Sequence, residues 1–297
     1  MILAHNKTDN SQSFLQATEL AKRFPALLSE ARKISTNALH GAHGRRKRGN
    51  GETFWEFRHA RAEDPASAID WRRSAHSDAL FVRETEWEAS NTVYLWRDSS
   101  PEMNWRSQSY LPLKQDRAAV LLVALSLVLL RGSERCMVPG VSQKPGTGIG
   151  ASERIAHEII TGTSTAKQLT QHSRQRQAHL VIASDFLEGE AVWKPRLDTI
   201  QQTGISVILL HISDPAEETF PFKGHTLFTS ANGREKIDFG RAQLAQSAYV
   251  EQFFTARDQM RQLAHNNGWM FLQHRSDQNP APVFLALAQS ISNGHLS

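Results

Sequence analysis

From about residue 91 onwards, the chain alternates short apolar runs with longer amphipathic segments. The apolar runs have the length of strands and are TVYLW at 92–96, CMV at 136–138, LVIAS at 180–184, ISVILLHI at 205–212 and WMFLQH at 269–274. Helical patterns cover 117–131, the residues after Ala151, 190–202, 241–264 and 282–292. Strands that alternate with helices in this way are typical of parallel sheets with both faces covered. The pattern predicts an α/β fold, doubly wound around a mostly parallel sheet.

The first part of the chain follows another pattern. Apolar residues recur at three- and four-residue steps over 20–34, as one face of a helix requires, and Pro25 either kinks this helix or begins a second one. Residues 41–51, GAHGRRKRGNG, surround basic residues with glycines and predict an exposed loop. Two further strands are expected around 54–57 and 80–87.

These patterns divide the chain at residue 90. We expect an N-terminal helical and β extension over 1–90, which includes the basic loop, and the α/β domain over 91–297. Hydrophobic residues make up 40% and charged residues 22%, as in ordinary globular proteins. The 34 Lys and Arg exceed the 30 Asp and Glu by four. One basic segment accounts for such an excess, so net charge alone identifies no partner.

Cysteine content and hydropathy indicate where in the cell the protein is expected to be. Cys136 is the single cysteine, so no intrachain disulfide forms, and a reducing, cytoplasmic location is expected. The N-terminus lacks the basic and then apolar run of a signal peptide. The most apolar stretch, 119–130, is shorter than the ~20 residues of a spanning helix and is bracketed by Arg117 and Arg131. It predicts a helix buried inside the protein, and no transmembrane segment is expected.

Two predicted strands end in aspartate. TVYLWRD ends at Asp98 and LVIASD ends at Asp185, and Ser100 follows Asp98 in the same loop. Ligands of open α/β sheets bind beyond the carboxyl ends of the strands, where both carboxylates would meet if the strands are neighbours. Oxygen ligands of this kind suit Mg²⁺ or Mn²⁺. The alternative is structural, because Asp at a strand end also serves as a helix cap or a turn residue.

A resemblance to known families bears on this choice. Asp98, Ser100 and position 102 resemble the Asp-x-Ser-x-Ser motif of von Willebrand factor A-like domains, and SDFL at 184–187 is similar to their second Asp-bearing loop. More specifically, the run from GETFWEF to TEWE at 51–88, with IDWRRSA at its centre, resembles the bacterial family named domain of unknown function 58. The resemblance covers nearly the whole chain.

The resemblance implies a von Willebrand factor A-like fold and an unassigned biochemical activity. Members of the family commonly accompany MoxR-type AAA+ ATPases, with which they are thought to mature or assemble other proteins in a chaperone-like way. In the related domains the Asp-x-Ser-x-Ser site holds a divalent metal and leaves one coordination position for a carboxylate of the partner. These properties are expectations for this chain.

The chain departs from the motif at two positions. Glu102 stands where a hydroxyl is usual, and it either binds the ion in place of the partner's carboxylate or faces solvent at a helix N-terminus. The usual Thr of the second loop has a counterpart only in Thr147 of KPGTGIG. This segment lacks the Lys of a phosphate-binding loop, so it is interpreted first as a flexible loop and second as an edge of the metal site.

Two groups of residues are candidates for binding a partner. The first is Asp70, Trp71 and Arg72, since Trp and Arg dominate binding hot spots. The alternative for this group is a structural anchor with Trp71 buried and Asp70 capping a helix or pairing with an Arg. The second group is the run Arg45, Arg46, Lys47 and Arg48, which would contact phosphate, an anionic membrane face or an acidic protein, or form a solvated loop. Nucleic-acid binding through this run would fall steeply with salt.

Together these observations predict a non-enzymatic protein-interaction module that acts with a MoxR-type ATPase, with Mg²⁺ or Mn²⁺ held by Asp98, Ser100 and Asp185. The sequence contains neither HExxH nor GxSxG. The alternative class is a metal-dependent phosphoester hydrolase that uses the same acidic crevice.

Overall fold

The computed structural model describes residues 26–36, 54–60, 64, 69–75, 79–85, 91–164, 166–169, 178–230 and 236–293. The chain forms two compact units, of which one contains Met1–Arg45 and Asn91–Ser297 and the other Arg46–Ser90. The predicted helix before residue 26 and the basic loop at 41–51 lie outside the described residues.

In chain order the strands are β1 Phe54–His59, β2 Phe81–Thr85, β3 Thr92–Arg97, β4 Arg135–Met137, β5 Gly146–Thr147, β6 His179–Ser184, β7 Ser206–Ser213, β8 Thr226–Thr229, β9 Lys236–Phe239 and β10 Met270–Arg275. The helices are α1 over 26–36, α2 Trp71–Ser74, α3 Lys114–Arg131, α4 Ser152–Thr161, α5 Ala166–Leu169, α6 Glu190–Gln201, α7 Pro215–Thr219, α8 Gln246–Asn266 and α9 Ala281–Asn293. Short 3₁₀ helices lie at Pro101–Met103, Ile149–Ala151 and Ala242–Ala245.

The larger unit is built around a sheet whose described strands have the order β10-β7-β6-β3-β4-β5. β5 pairs antiparallel with β4, and all other neighbours in this sheet are parallel. Parallel neighbours require crossover connections, which helices provide here. The predicted α/β class with a mostly parallel sheet is therefore confirmed. The von Willebrand factor A type of this sheet stays a prediction.

Strand β3 is buried along its whole length because helices cover both faces of the sheet. Val93 and Leu95 belong to one hydrophobic core, together with side chains of α3, α4 and α9. Tyr94 and Trp96 belong to a second core, together with side chains of α6 and α8. Successive side chains of a strand point to opposite faces. A continuous apolar run is consequently what a strand between two cores requires.

Helix α3 is buried on nearly all sides, as its apolar sequence predicts. It packs against β3, α4 and α9. Leu27, Leu28, Ala31 and Ile34 of α1 join the same core, so the helical segment that we grouped with residues 1–90 packs within the larger unit. No helix in the described part of the chain has the length and apolar character needed to cross a membrane. The cytoplasmic location stays a prediction.

The sequence pattern missed several short elements. Strands β8 and β9 form an antiparallel pair between α7 and α8, and β5 contributes only two residues to the sheet. Such short segments carry too few residues for a periodic pattern. Helix α7 is also short, but Asp214 and Glu217 form a capping box around its first turn, with Pro215 at the start. Its beginning was thus encoded in the sequence DPAE.

Candidate functional site

Three neighbouring strands of the sheet end in aspartate. β3, β6 and β7 are adjacent and parallel, and Asp98, Asp185 and Asp214 directly follow them. The Asp98 backbone N–H donates to the carbonyl of Ala183, 2.9 Å away, so the pairing of β3 with β6 continues to this point. The carboxyl edge of the sheet is therefore acidic at three successive strand ends.

The Asp98 carboxylate closes a turn. Its Oδ1 accepts a hydrogen bond from the Ser100 backbone N–H at 2.8 Å, and its Oδ2 accepts one from the Ser184 hydroxyl at 2.6 Å. Burial raises the pKa of Asp98, and these hydrogen bonds only partly offset that effect. Asp98 and Ser100 thus have the contacts of an Asx turn, which was the structural alternative for this pair.

The Asp185 carboxylate is bound by a lysine. Lys114, the first residue of α3, places its Nζ 2.7 Å from Oδ2 of Asp185 and also donates to Oε1 of Glu217 in α7. The other Asp185 oxygen accepts from the backbone N–H of Leu187 at 3.2 Å. The side chain of Lys114 is only 1% exposed, so this ion pair is shielded from water.

Lys114 remains charged in this environment. Burial by itself lowers the pKa of Lys114, but the carboxylates of Asp185 and Glu217 outweigh burial and raise the pKa above its ordinary value. The ring of Trp105 lies over the ammonium, with its centroid 5.9 Å from Nζ. The cluster is therefore a buried ammonium held between two carboxylates.

Residues 98–113, here called the covering segment, lie at the carboxyl edge between β3 and α3. Met103 and Leu111 are buried and anchor this segment, Met103 within the core of the larger unit. The Ser107 backbone N–H donates to Oδ2 of Asp214 at 2.9 Å, and Arg106 donates to the carbonyl of Leu111 at 3.2 Å. Asp214 thereby fixes the covering segment while its Oδ1 caps α7.

The covering segment presents an aromatic side chain to solvent. Tyr110 is 81% exposed, and Leu187, which follows the neighbouring strand β6, is 47% exposed. Tyr and Arg are frequent in binding hot spots, and the backbone that carries Tyr110 and Arg106 is held in place. The carboxyl edge thus buries the charged cluster and exposes large side chains to solvent.

The surroundings of Asp98 and Asp185 disfavour the divalent ion that the sequence predicted. Each of the four oxygens of Asp98 and Asp185 already accepts a hydrogen bond, and a protonated Lys114 lies within 2.7 Å of Asp185. Within the described ranges, no group of three His, Cys, Asp or Glu side chains is placed to hold a metal. A dication bound to Asp185 would share that carboxylate with the Lys114 ammonium, and the two positive charges would repel each other.

The other two predicted metal ligands are Glu102 and Thr147, and Thr147 lies apart from this cluster. Glu102 is in the first turn of the 3₁₀ helix Pro101–Met103. The second carboxylate that binds Lys114 belongs to Glu217. Thr147 pairs with Arg135, which in turn pairs with Thr92 at the start of β3. The amino end of β3 is opposite to Asp98, so grouping Thr147 with the metal site is corrected. The position of the KPGTGIG segment was not predictable from the sequence, because the pattern indicated parallel strands and β5 runs antiparallel to β4.

The small unit contains the Asp70, Trp71 and Arg72 candidates. Strands β1 and β2 pair antiparallel, and α2 lies between them in the chain. Asp70 caps α2 by accepting from the Arg73 backbone N–H at 3.1 Å, as the structural alternative proposed. Trp71 is 60% exposed and does not form the buried anchor of that alternative. Arg45, Arg46, Lys47 and Arg48 lie outside the described residues.

Sequence reasoning missed three residues of the cluster. Asp214 and Glu217 carry a signal, because D-P-x-E after an apolar strand is a capping box at the strand's carboxyl end. Lys114 carries almost none, since a lysine before an apolar helix is ordinarily exposed. Its partners lie 71 and 103 positions further along the chain.

The structure is that of an α/β protein with three acidic strand ends at the carboxyl edge of a mostly parallel sheet. Residues 56–259 match the family model described as "Protein of unknown function DUF58". The match spans more than half of the chain, and the protein belongs to this family. No curated protein matches the chain.

Solved structures show only weak likeness. The conserved hypothetical protein BatB from Bacteroides thetaiotaomicron is 16% identical, with a TM-score of 0.43 over 70% of this chain and 100% of its own. An aerotolerance-related membrane protein from Bacteroides fragilis is also 16% identical, with a TM-score of 0.40 over 69% of this chain and 100% of its own. An uncharacterized membrane spanning protein from Vibrio fischeri has a TM-score of 0.19 at 14% identity, over 68% of this chain and 96% of its own. Likeness at these TM-scores supports no conclusion.

Proposed function

We propose that the protein is a non-enzymatic interaction module with a von Willebrand factor A-like domain, and that it binds protein partners at the carboxyl edge of its sheet. The family resemblance favours a MoxR-type AAA+ ATPase as the partner. The pair would act in the chaperone-like maturation or assembly of a client protein.

The main support for this proposal is that Tyr110 is exposed on a backbone segment that hydrogen bonds hold in place. Tyr110 is 81% exposed, and the covering segment beneath it is held by the bond from Ser107 to Asp214. A large amphipathic side chain on a pre-ordered backbone loses little entropy when it binds. Leu187 adds apolar area on the loop that follows the neighbouring strand β6.

The test is a binding measurement between the purified protein and the MoxR-type ATPase of the same genome. We expect Tyr110→Ala to weaken binding about tenfold or more, the size of a hot-spot loss. Ile149→Ala is the matched control, because Ile149 is 69% exposed but follows β5 near the amino end of β3. Equal weakening by both variants would reject the carboxyl edge as the binding surface. Failure of the wild-type protein to bind the ATPase would reject this partner.

Asp70, Trp71 and Arg72 form a second candidate contact in the small unit. The 60% exposure of Trp71 supports it, since Trp is enriched among the residues that contribute most to binding. Trp71→Ala should weaken ATPase binding without lowering the melting temperature of the larger unit. The basic run Arg45 to Arg48 is tested in the same assay by replacing all four residues with Ser.

The phosphoester-hydrolase alternative requires Asp98 and Asp185 to hold a reactive metal ion. The ion pair of Asp185 with Lys114 disfavours a catalytic metal ion at these carboxylates. A phosphoesterase activity that disappears in Asp98→Ala would nevertheless overturn the binding-only proposal.

A further inference from the structure

Nearby positive charge stabilises buried carboxylates, and two carboxylates at the carboxyl edge share one such charge. Asp185 is 5% exposed and Glu217 is 7% exposed. Ionised carboxylates at this depth are strongly disfavoured unless a cation or hydrogen-bond donors bind them. The Lys114 ammonium donates to both.

We infer that Lys114 supplies, between Asp185 and Glu217, the positive charge that a divalent ion would otherwise supply. The buried carboxylates are therefore compensated without a metal ion. The ammonium bridges the loop after β6 and helix α7, as a shared ion would. Trp105 and the covering segment lie over it.

The neighbouring contacts agree with this assignment. Asp98 uses its two oxygens for Ser100 and Ser184, and Asp185 uses its second oxygen for Leu187. Glu217 uses its second oxygen to accept from the Asp214 backbone N–H at 2.8 Å. The carboxylate oxygens of the cluster are therefore engaged by donors of the chain itself, and the positive charge is delivered by α3. The inference does not depend on which partner the protein binds.

The test compares melting temperatures in MgCl₂ or MnCl₂ with those in KCl of equal ionic strength. We expect the wild-type protein to melt at the same temperature in all three salts, because its crevice already holds a cation. Lys114→Met keeps an unbranched side chain of similar length but removes the charge, so its melting temperature should fall by several degrees. Mg²⁺ or Mn²⁺ should then raise it, since an ion that binds only the folded state stabilises it. The added Asp185→Asn change should remove that rise.

Lys194→Met is the matched control, because Lys194 pairs with Asp198 on α6 at 51% exposure. A metal-dependent rise in the wild-type protein that Asp98→Asn or Asp185→Asn abolishes would overturn the inference. So would a Lys114→Met variant that is as stable as Lys194→Met, or one that shows no response to either metal.

A second measurement covers the case in which Lys114→Met does not fold. The charge-neutral variant Lys114→Met/Asp185→Asn/Glu217→Gln removes the cation together with both carboxylates, and it should fold, since replacing a whole buried ion cluster costs less than breaking it. A neutral variant that also fails to fold would count against the inference. Mn²⁺ binding to the wild-type protein, followed by electron paramagnetic resonance, gives a direct readout; specific binding that requires Asp98 would refute it.

Discussion

Arg97 donates to the backbone carbonyl of Gly162 across 3.1 Å, and this bond ties the last residue of β3 to the end of α4. The same guanidinium donates to the carbonyls of Ile159 at 3.0 Å and Ile160 at 3.4 Å. The last carbonyls of a helix have no partner within the helix. Arg97 therefore caps α4 from the neighbouring strand.

Replacing Arg97 by Lys should destabilise the protein although the charge is kept. A single ammonium cannot reproduce the planar set of donors that reaches three carbonyls. We expect a loss of about 2–4 kcal/mol in the free energy of unfolding, measured by urea denaturation. Arg131→Lys at the exposed end of α3 is the control. Equal stabilities of the two variants would show that the cap contributes nothing.

Asp98→Ala should cost more stability than Asp98→Asn. Alanine leaves the Ser100 N–H and the Ser184 hydroxyl without their acceptor, at a cost of about 1–3 kcal/mol. Asparagine keeps an oxygen for Ser100, and its amide can donate to Ser184. Urea denaturation of both variants checks the order.

The pH dependence of the same pair gives a second check. Burial raises the pKa of Asp98, so the folded state favours the neutral carboxyl group. The wild-type protein then loses stability relative to Asp98→Asn as the pH rises from below the ordinary Asp pKa through the raised pKa. A difference in stability that stays constant with pH would contradict the raised pKa.

Two buried histidines should destabilise the protein in mild acid. Burial, assisted by Arg257, lowers the pKa of His211 to about 3, and burial, assisted by Arg117, lowers that of His274 to about 4. The unfolded chain binds these protons near pH ~6.5, so this stability is present above that pH and is lost as the pH falls. Each histidine contributes a slope of about 1.4 kcal/mol per pH unit.

The double variant His211→Gln/His274→Gln isolates this effect. Its free energy of unfolding should fall less steeply between about pH 6.5 and about pH 5 than that of the wild-type protein. His265→Gln replaces an exposed histidine of α8 and should leave the wild-type slope unchanged. If the double variant has the slope of the wild-type protein, the buried histidines are not the titrating groups.

Cys136 should be inert in the folded protein. It is fully buried in the main core, and burial raises the pKa of its thiol. The reactive species is the thiolate, so a thiol reagent should label the native protein slowly and the denatured protein completely. Ser109→Cys adds a thiol at an exposed position of the covering segment and provides the positive control. Rapid labelling of native wild-type protein would disprove this burial.

The strands and helices of the larger unit were predictable because each is encoded locally. The apolar run TVYLW predicted a strand buried on both faces, and it forms β3. The apolar stretch at 119–130 lies within α3, a helix surrounded by other elements. The β8–β9 pair was not predictable, since four residues in each strand are too few to establish a period.

The amino-acid sequence by itself determined the α/β class, the buried central strand and the positions of Asp98 and Asp185 at strand ends, because periodicity and chain order are local properties. Only the tertiary structure decided what meets these carboxylates. Strand order brings β3, β6 and β7 together, and the covering segment places Lys114, the first residue of α3, at their carboxyl edge. Charge compensation depends on distance in space. The sequence does not reveal that distance, because Asp185 and Glu217 follow Lys114 by 71 and 103 positions.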